Sequence, residues 1–353
     1  MAALRGGEML RKVQVTGGAT YIISLPKSWA RNVGLKPGDL VQLIPQPDAS
    51  LLLIPKKSLE RKEKALEGLV VASSSKRPED VIRELISCYL VGYDVIRIKF
   101  ERSTVGLKPR VKDVMRRKLV GVEIVEETAD YLVARCLLGY VEFPVKDALS
   151  RMHTIALSML RDAISALRSA DKFLAKEVVE RDDEVDRLYF FVIRQLKMAV
   201  ENRIMIEELG LSSARDCLGY RLVAKSIERM ADHAARIGSV VPLVEDSKVK
   251  EIVEKIAEIS EVSIDVCRSA LKSLYQLDAE LANQAIAKTS AVVRLEESVT
   301  KKILGAKLST KAIMGLRLIL ESVRRIAEYG ADVAEIAVNL SMRSPREVEL
   351  SRR

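Results

Sequence analysis

The sequence predicts a multidomain protein in three parts: a β-rich N-terminal unit, a small α/β middle domain, and a C-terminal all-α region of tandem three-helix bundles. Three observations carry this prediction. Short apolar runs separated by Gly and Pro turns fill residues 11–57. Strand-like and helix-like periods alternate across 69–138, and from Pro144 onward every segment repeats its apolar residues at helical spacing. Composition agrees, because 48% of the 353 residues are hydrophobic but only 4% are aromatic, which favours helices packed on Leu, Ile, Val and Ala. The expected domains are 1–57, 58–143, 144–242 and 243–353.

In the first unit, Val13-Gln14-Val15 is a short alternating strand and Gly17-Gly18 a turn into a second strand, Tyr21–Leu25. Pro26 suits the first position of a helix, where its missing N–H costs nothing. That helix runs from Lys27 to Val33 and stops at Gly34; Lys36-Pro37-Gly38-Asp39 is a turn. Leu40–Ile44 and Leu51–Ile54 form a hairpin, with Pro45, Pro47 and Asp48 in its connection. A β-β-α-β-β unit this small buries too little surface alone, so it is expected to dimerise or to lean on the segments C-terminal to it.

Ile23-Ser24-Leu25-Pro26-Lys27-Ser28-Trp29 followed by Val33-Gly34-Leu35-Lys36-Pro37-Gly38-Asp39 resembles the AbrB/SpoVT-type, swapped-hairpin DNA-binding domain. The resemblance implies an intertwined homodimer that presents basic side chains to DNA. It places Arg31 where the family often has a helix arginine, with Arg11, Lys12 and Lys27 as further phosphate contacts. Ala19 and Ala30 stand where relatives often carry arginine, which favours a purely dimerising role as the alternative.

Residues 58–68 read as a charged linker, helical or solvated. Beyond it, Val70-Val71 is a strand, Pro78–Val91 a helix opening on acidic residues, and Asp94–Phe100 an alternating, half-buried strand. Lys108–Lys118 is a second helix, and Val122–Val125 with Tyr131–Cys136 a hairpin, giving a βαβαββ order. Arg110, Lys112, Arg116, Arg117 and Lys118 cluster on the second helix and read as a solvated face in preference to a nucleic-acid site. The segment has no catalytic or Gly-rich phosphate motif.

Six long helices complete the chain, at 144–170, 171–207, 212–240, 246–275, 278–304 and 309–342. They fall into two sets of three, since Ile227–Ile237 and Val323–Val333 share one pattern. Ile227, Met230, Ala231, Ala234 and Ile237 form the buried stripe of the third helix. On that same helix Glu228 and Asp232 lie four residues apart, so two like charges leave one face, at a cost of roughly 0.2–0.5 kcal/mol unless a cation relieves them. Asp182 and Asp186 repeat the spacing upstream. Arg181, Arg187, Arg229 and Arg236 are near enough in sequence to neutralise the acids as plain ion pairs. His233 points about 100° away from Asp232 around the helix and reads as packed or hydrogen-bonded; His153 has no partner signature.

Val179–Leu188 and Ile227-Glu228-Arg229-Met230-Ala231-Asp232-His233-Ala234 resemble the PhoU family of phosphate-uptake regulators, across about 144–342. The resemblance implies a metal site from Asp182, Asp186, Glu228 and Asp232, holding a divalent or trivalent ion such as iron, zinc or magnesium; clustered carboxylate oxygens suit hard cations. In the second set Thr289, Val293, Arg324 and Glu328 take those four places, and Arg324 and Glu328 are placed to pair with each other.

Cys88, Cys136, Cys217 and Cys267 are scattered, which argues against a disulfide framework or cysteine-bound zinc. Met1–Leu10 has no signal-peptide pattern and no apolar run reaches the roughly 20 residues of a membrane helix, so a cytoplasmic protein is expected. The net charge of +9 is compatible with DNA without requiring it. No nucleophile, His set or phosphate-cradling loop accompanies the carboxylates, so no enzyme is expected. The expectation is a homodimeric transcriptional regulator of phosphate uptake that binds DNA and senses metal or a partner. The alternative is an adaptor that does not bind DNA and that negatively regulates a phosphate transporter or its sensor kinase.

Overall fold

Gly17 and Gly18, both at positive φ (60° and 79°), turn the chain between β1 (Gln14–Thr16) and β2 (Thr20–Ile22) in a conformation that side chains with a Cβ resist. Helix α1 (Lys27–Asn32) comes next, then β3 (Val41–Pro45) pairs antiparallel with β4 (Leu51–Pro55). Pro26 lies one residue outside α1, as its extended N-cap, rather than inside it. The structure, a computed structural model, describes residues 9–45, 49–56, 65–137, 143–245 and 247–342; the expected turn at Pro47 and Asp48 and most of the 58–68 linker lie outside these. The two hairpins of this unit are separate two-stranded sheets. Pro55 is its one buried residue among those described.

The chain divides between Lys64 and Ala65, and Ala65–Met342 is a single compact unit. The α/β segment and the helices therefore belong to one body. In the α/β part, β5 (Glu67–Ala72), α2 (Pro78–Val91), β6 (Val95–Phe100), α3 (Lys108–Lys118), β7 (Val122–Glu127) and β8 (Tyr131–Cys136) keep the expected βαβαββ order. The sheet runs β5-β6-β8-β7, with β5 parallel to β6 and the other pairs antiparallel. Pro78 opens α2 and Gly92, at φ 110°, closes it. Val70, Ile96, Ile98 and Leu132 from the sheet pack with Leu85, Tyr89, Val111 and Met115 from the two helices in one core.

The helical part comprises α4 (Val145–Ser169), α5 (Lys172–Glu201), α6 (Arg203–Glu208), α7 (Ala214–Val240), α8 (Lys250–Gln276), α9 (Ala279–Gly305) and α10 (Thr310–Ser341). The expected helix over 171–207 is two. Asn202 leaves the helical region at φ −134°, ψ 106°, and its side chain caps the next helix by accepting from Ile204 and Met205 N–H. The halves repeat closely. Ala170 and Leu277 end α4 and α8 in the left-handed region (φ 53° and 52°), and Asp171 and Asp278 next to them cap α5 and α9. The helices share one continuous core of Leu, Ile, Val, Ala and Met, to which Ile227, Met230, Ala231, Ala234 and Ile237 all contribute.

The two parts of this body meet mainly through α5. Arg194, 7% exposed, donates to the carbonyls of Tyr89 (2.6 Å), Tyr93 (3.0 Å) and Gly92 (3.2 Å) at the end of α2. It also faces Asp94 at 3.7 Å and stacks over the Tyr89 ring.

Candidate functional site

Asp182 and Asp186 stand one turn apart on α5, and Glu228 and Asp232 one turn apart on α7. The packing of α5 on α7 brings the four carboxylates within electrostatic range of one another. Burial, then the negative charges of Asp186, Asp232 and Glu228, push the Asp182 carboxyl up to about 7; Lys118 partly offsets this. Burial likewise raises Glu228 and Asp232 above the usual carboxylate range. Asp182 Oδ1 and Glu228 Oε2 are buried without a hydrogen-bond partner, which makes the cluster costly as it stands.

Two ammonium groups pair directly with the cluster, while Arg229, one of the four arginines expected from sequence, acts on Asp232 through its charge. Lys225 Nζ, on α7, pairs with Glu228. Lys118 Nζ, the last residue of α3, donates to Asp186 Oδ2 at 3.0 Å and lies 3.6 Å from Asp183 Oδ1. Arg181 is engaged elsewhere, with Asp162 (2.6 Å) and Glu177 (2.9 Å). Lys118 is 68 positions from Asp186, so no local pattern could have named it; Lys225, three residues before Glu228, was within reach of helix-pair spacing.

The fit to a cation is partial. The donor set is all hard oxygen, and two of those oxygens lack a partner. Yet no three His, Cys, Asp or Glu side chains among the described residues are grouped to hold an ion as they lie. The ring of His233 packs 5.8 Å from that of Tyr329 with Nδ1 buried and unpartnered. Burial first, then Arg236 and Arg325, depress it to about 4. His153 is buried too and donates from Nε2 to the Cys267 carbonyl at 3.1 Å.

In the second half Arg324 pairs with Glu328, as its spacing suggests, and its Nε also reaches Glu296 Oε2 at 2.7 Å. Thr289, in the place of Asp182, has its hydroxyl buried and unpartnered. The acidic cluster is thus replaced there by an arginine–glutamate network.

The basic cluster on α3 is a largely solvated face, with Arg110, Arg116 and Arg117 exposed, and most of its members are drawn into ion pairs. Arg110 pairs with Glu79 (3.0 Å), Lys112 with Glu127 (2.8 Å), and Arg117 with Asp113 (3.1 Å) while approaching Asp183 on α5 at 3.7 Å. In the N-terminal unit, Arg11, Lys12, Lys27 and Arg31 are all exposed.

Comparison with known proteins bears on both units. Residues 149–241 and 256–337 each match the PhoU domain model, and residues 14–61 match that of the antidote-toxin recognition protein MazE, a bacterial antitoxin. The N-terminal likeness is therefore to an antitoxin-type domain rather than to AbrB/SpoVT specifically. Among curated proteins, a phosphate-specific transport system accessory protein PhoU homolog of Borreliella burgdorferi is 34% identical over 114 residues, covering 32% of this chain and 49% of that protein. The chain thus spans about half the length of that relative. PhoU homolog 2 of Thermotoga maritima is 28% identical, covering 51% of this chain and 77% of its own length. The solved PhoU of Streptococcus pneumoniae is 20% identical with a TM-score of 0.49, covering 56% of this chain and 92% of that one.

Proposed function

We infer, from a helical region that is a PhoU-family domain, that this chain regulates phosphate transport through protein contacts and performs no catalysis. The observation that carries this is the match of both helical halves to the PhoU model. The alternative reading from sequence, an adaptor acting on a transporter or its sensor kinase, is better supported than the DNA-binding one. No helix among the described residues is long and apolar enough to cross a membrane. Uptake of labelled phosphate by cells with and without the gene tests this: uptake is expected to stop responding to external phosphate when the gene is deleted. Unchanged uptake control at every phosphate concentration would refute it.

The N-terminal unit is expected to be the dimerisation module. Tyr21 and Leu40 are 77% and 68% exposed, and with Val13, Val15, Ile23 and Leu43 they form apolar surface that the unit itself does not cover. A second copy would bury it. Such a dimer places Arg11, Lys12, Lys27 and Arg31 of both copies on one particle, and their exposure supports DNA as a second reading. A gel-shift titration decides it: binding that weakens steeply with salt supports DNA contact, and no shift at low salt eliminates it.

For the acidic cluster, Asp182, Asp186, Glu228 and Asp232 are the residues that would hold a divalent or trivalent cation. The ion would supply positive charge to carboxylates that burial has desolvated. The chain's own contribution is to hold two carboxylate pairs on adjacent helices, facing each other across the α5–α7 seam.

A further inference from the structure

We propose that the uncovered face of the β5-β6-β8-β7 sheet docks an acidic, amphipathic helix of a partner protein. The sheet lies between Glu67 and Cys136, outside the segments that match the two family models, so the proposal does not rest on the role inferred from the helical halves. Successive side chains on a strand point to opposite faces. Val70, Ile96, Ile98 and Leu132 pack with α2 and α3, so Leu69, Val71, Val95 and Val133 share the other face. A sheet with one wet face carries polar residues there. These four positions are apolar, and Leu69 is 62% exposed. Strands β5 and β6 are parallel, and parallel strands are ordinarily covered on both faces. Among the described residues of this body, α2 and α3 are the helices with extensive contact to the sheet, and both lie on the opposite side.

The charges on this face select the partner. Arg97 and Lys99 on β6 and Arg135 on β8 stand on the two central strands, with Leu69 and Val133 flanking Arg97 in the pairing register. None of the three cations meets a carboxylate in an ion pair among the described residues; Arg97 lies over the Tyr131 ring, 5.8 Å from its centroid. On the helix side, by contrast, Arg110, Lys112 and Lys118 are each paired. The acids Glu67, Glu123 and Glu126 belong to the edge strands. An occupant laid along β6 and β8 therefore meets apolar surface and unpaired positive charge together. A helix with a leucine stripe flanked by Asp or Glu satisfies both, covering Leu69 and the valines while its carboxylates reach the cations. Strand β6 has six residues, about 20 Å, which about 14 helical residues span. Single-stranded nucleic acid fits less well. Stacking needs open aromatic faces, and the Tyr131 ring lies under Arg97 with its hydroxyl donated to Glu126.

Fluorescence anisotropy on the full chain tests the proposal, using two labelled synthetic peptides of about 14 residues that share one leucine stripe and carry either Glu or Lys at its flanks. Wild type is expected to bind the Glu peptide about tenfold more tightly than the Lys peptide. Lys99→Glu with Arg135→Glu, both at exposed positions, is expected to reverse that preference. Leu69→Ser, also at an exposed position, is expected to weaken the Glu peptide by about tenfold without touching the charges. No binding of the Glu peptide by wild type overturns the proposal, as does binding that neither the double substitution nor Leu69→Ser weakens. A labelled oligothymidylate that binds wild type more tightly than the Glu peptide, and is lost with the same double substitution, overturns it too and assigns the face to single-stranded nucleic acid.

Discussion

Asp182 shows what the fold asks of one residue. It keeps its proton to about pH 7 in the fold but releases it near 3.8 when unfolded. Between those values the folded state binds more protons than the unfolded one, so this group's stability contribution is full below pH 3.8 and lost as pH rises through 7. Asp182→Asn removes that loss. In ion-free thermal melts the variant is expected to match wild type near pH 4 and to exceed it by about 1–3 kcal/mol at pH 8, after discounting for partial solvation. His153 and His233 act in the opposite sense. Each is depressed to about 4, so their contribution is present above 6.5 and lost as pH falls through 4; taking the variant-minus-wild-type difference cancels them. Arg194 is the other decisive residue, since removing it takes a donor from each of three carbonyls at the end of α2, two of which keep a second partner in Gly92 N–H and Cys136 Sγ. Arg194→Met is expected to cost about 2–4 kcal/mol in urea unfolding. The carboxylate pairs were legible at this scale because i, i+4 spacing is local. Lys118 and Arg194 were not, because their partners are brought to them by docking.

At the scale of elements, the close approach of α5 and α7 that forms the site depends on Gly238. A Cβ there would lie 2.7 Å from the Ala175 carbonyl oxygen and 3.4 Å from Val179, and backbone cannot yield as a side-chain tip can. Gly238→Ala is expected to destabilise the protein by about 1–3 kcal/mol and to lower cation affinity, whereas Gly305→Ala, with open space around it, is expected to do neither; denaturant melts of the two separate crowding from helix propensity. Helices Pro78–Val91 and Lys108–Lys118 were readable to the residue because proline marks their starts and apolar periodicity their length. The break at Asn202 was missed, since apolar spacing continues across it and only its capping geometry reveals a new start.

Over the whole molecule, the division between Lys64 and Ala65 separates a unit with almost no core of its own from one with two extensive cores. A chain beginning at Ala65 is therefore expected to unfold cooperatively and to run as a monomer by light scattering, while the full chain runs as a dimer; a dimeric truncation would move the dimer interface to the helical body. The sequence by itself determined the element order apart from the break at Asn202, the two-fold repeat of the helices and the pairing of acids on one face, because each arises from spacing along a single segment. Only the tertiary structure decided that the α/β part and the bundle are one body, that Lys118 and not a neighbouring arginine meets Asp186, and that burial leaves Asp182 and Glu228 each with an unpartnered oxygen. Those outcomes depend on desolvation and on contacts between residues far apart in the chain, and neither is encoded in local periodicity.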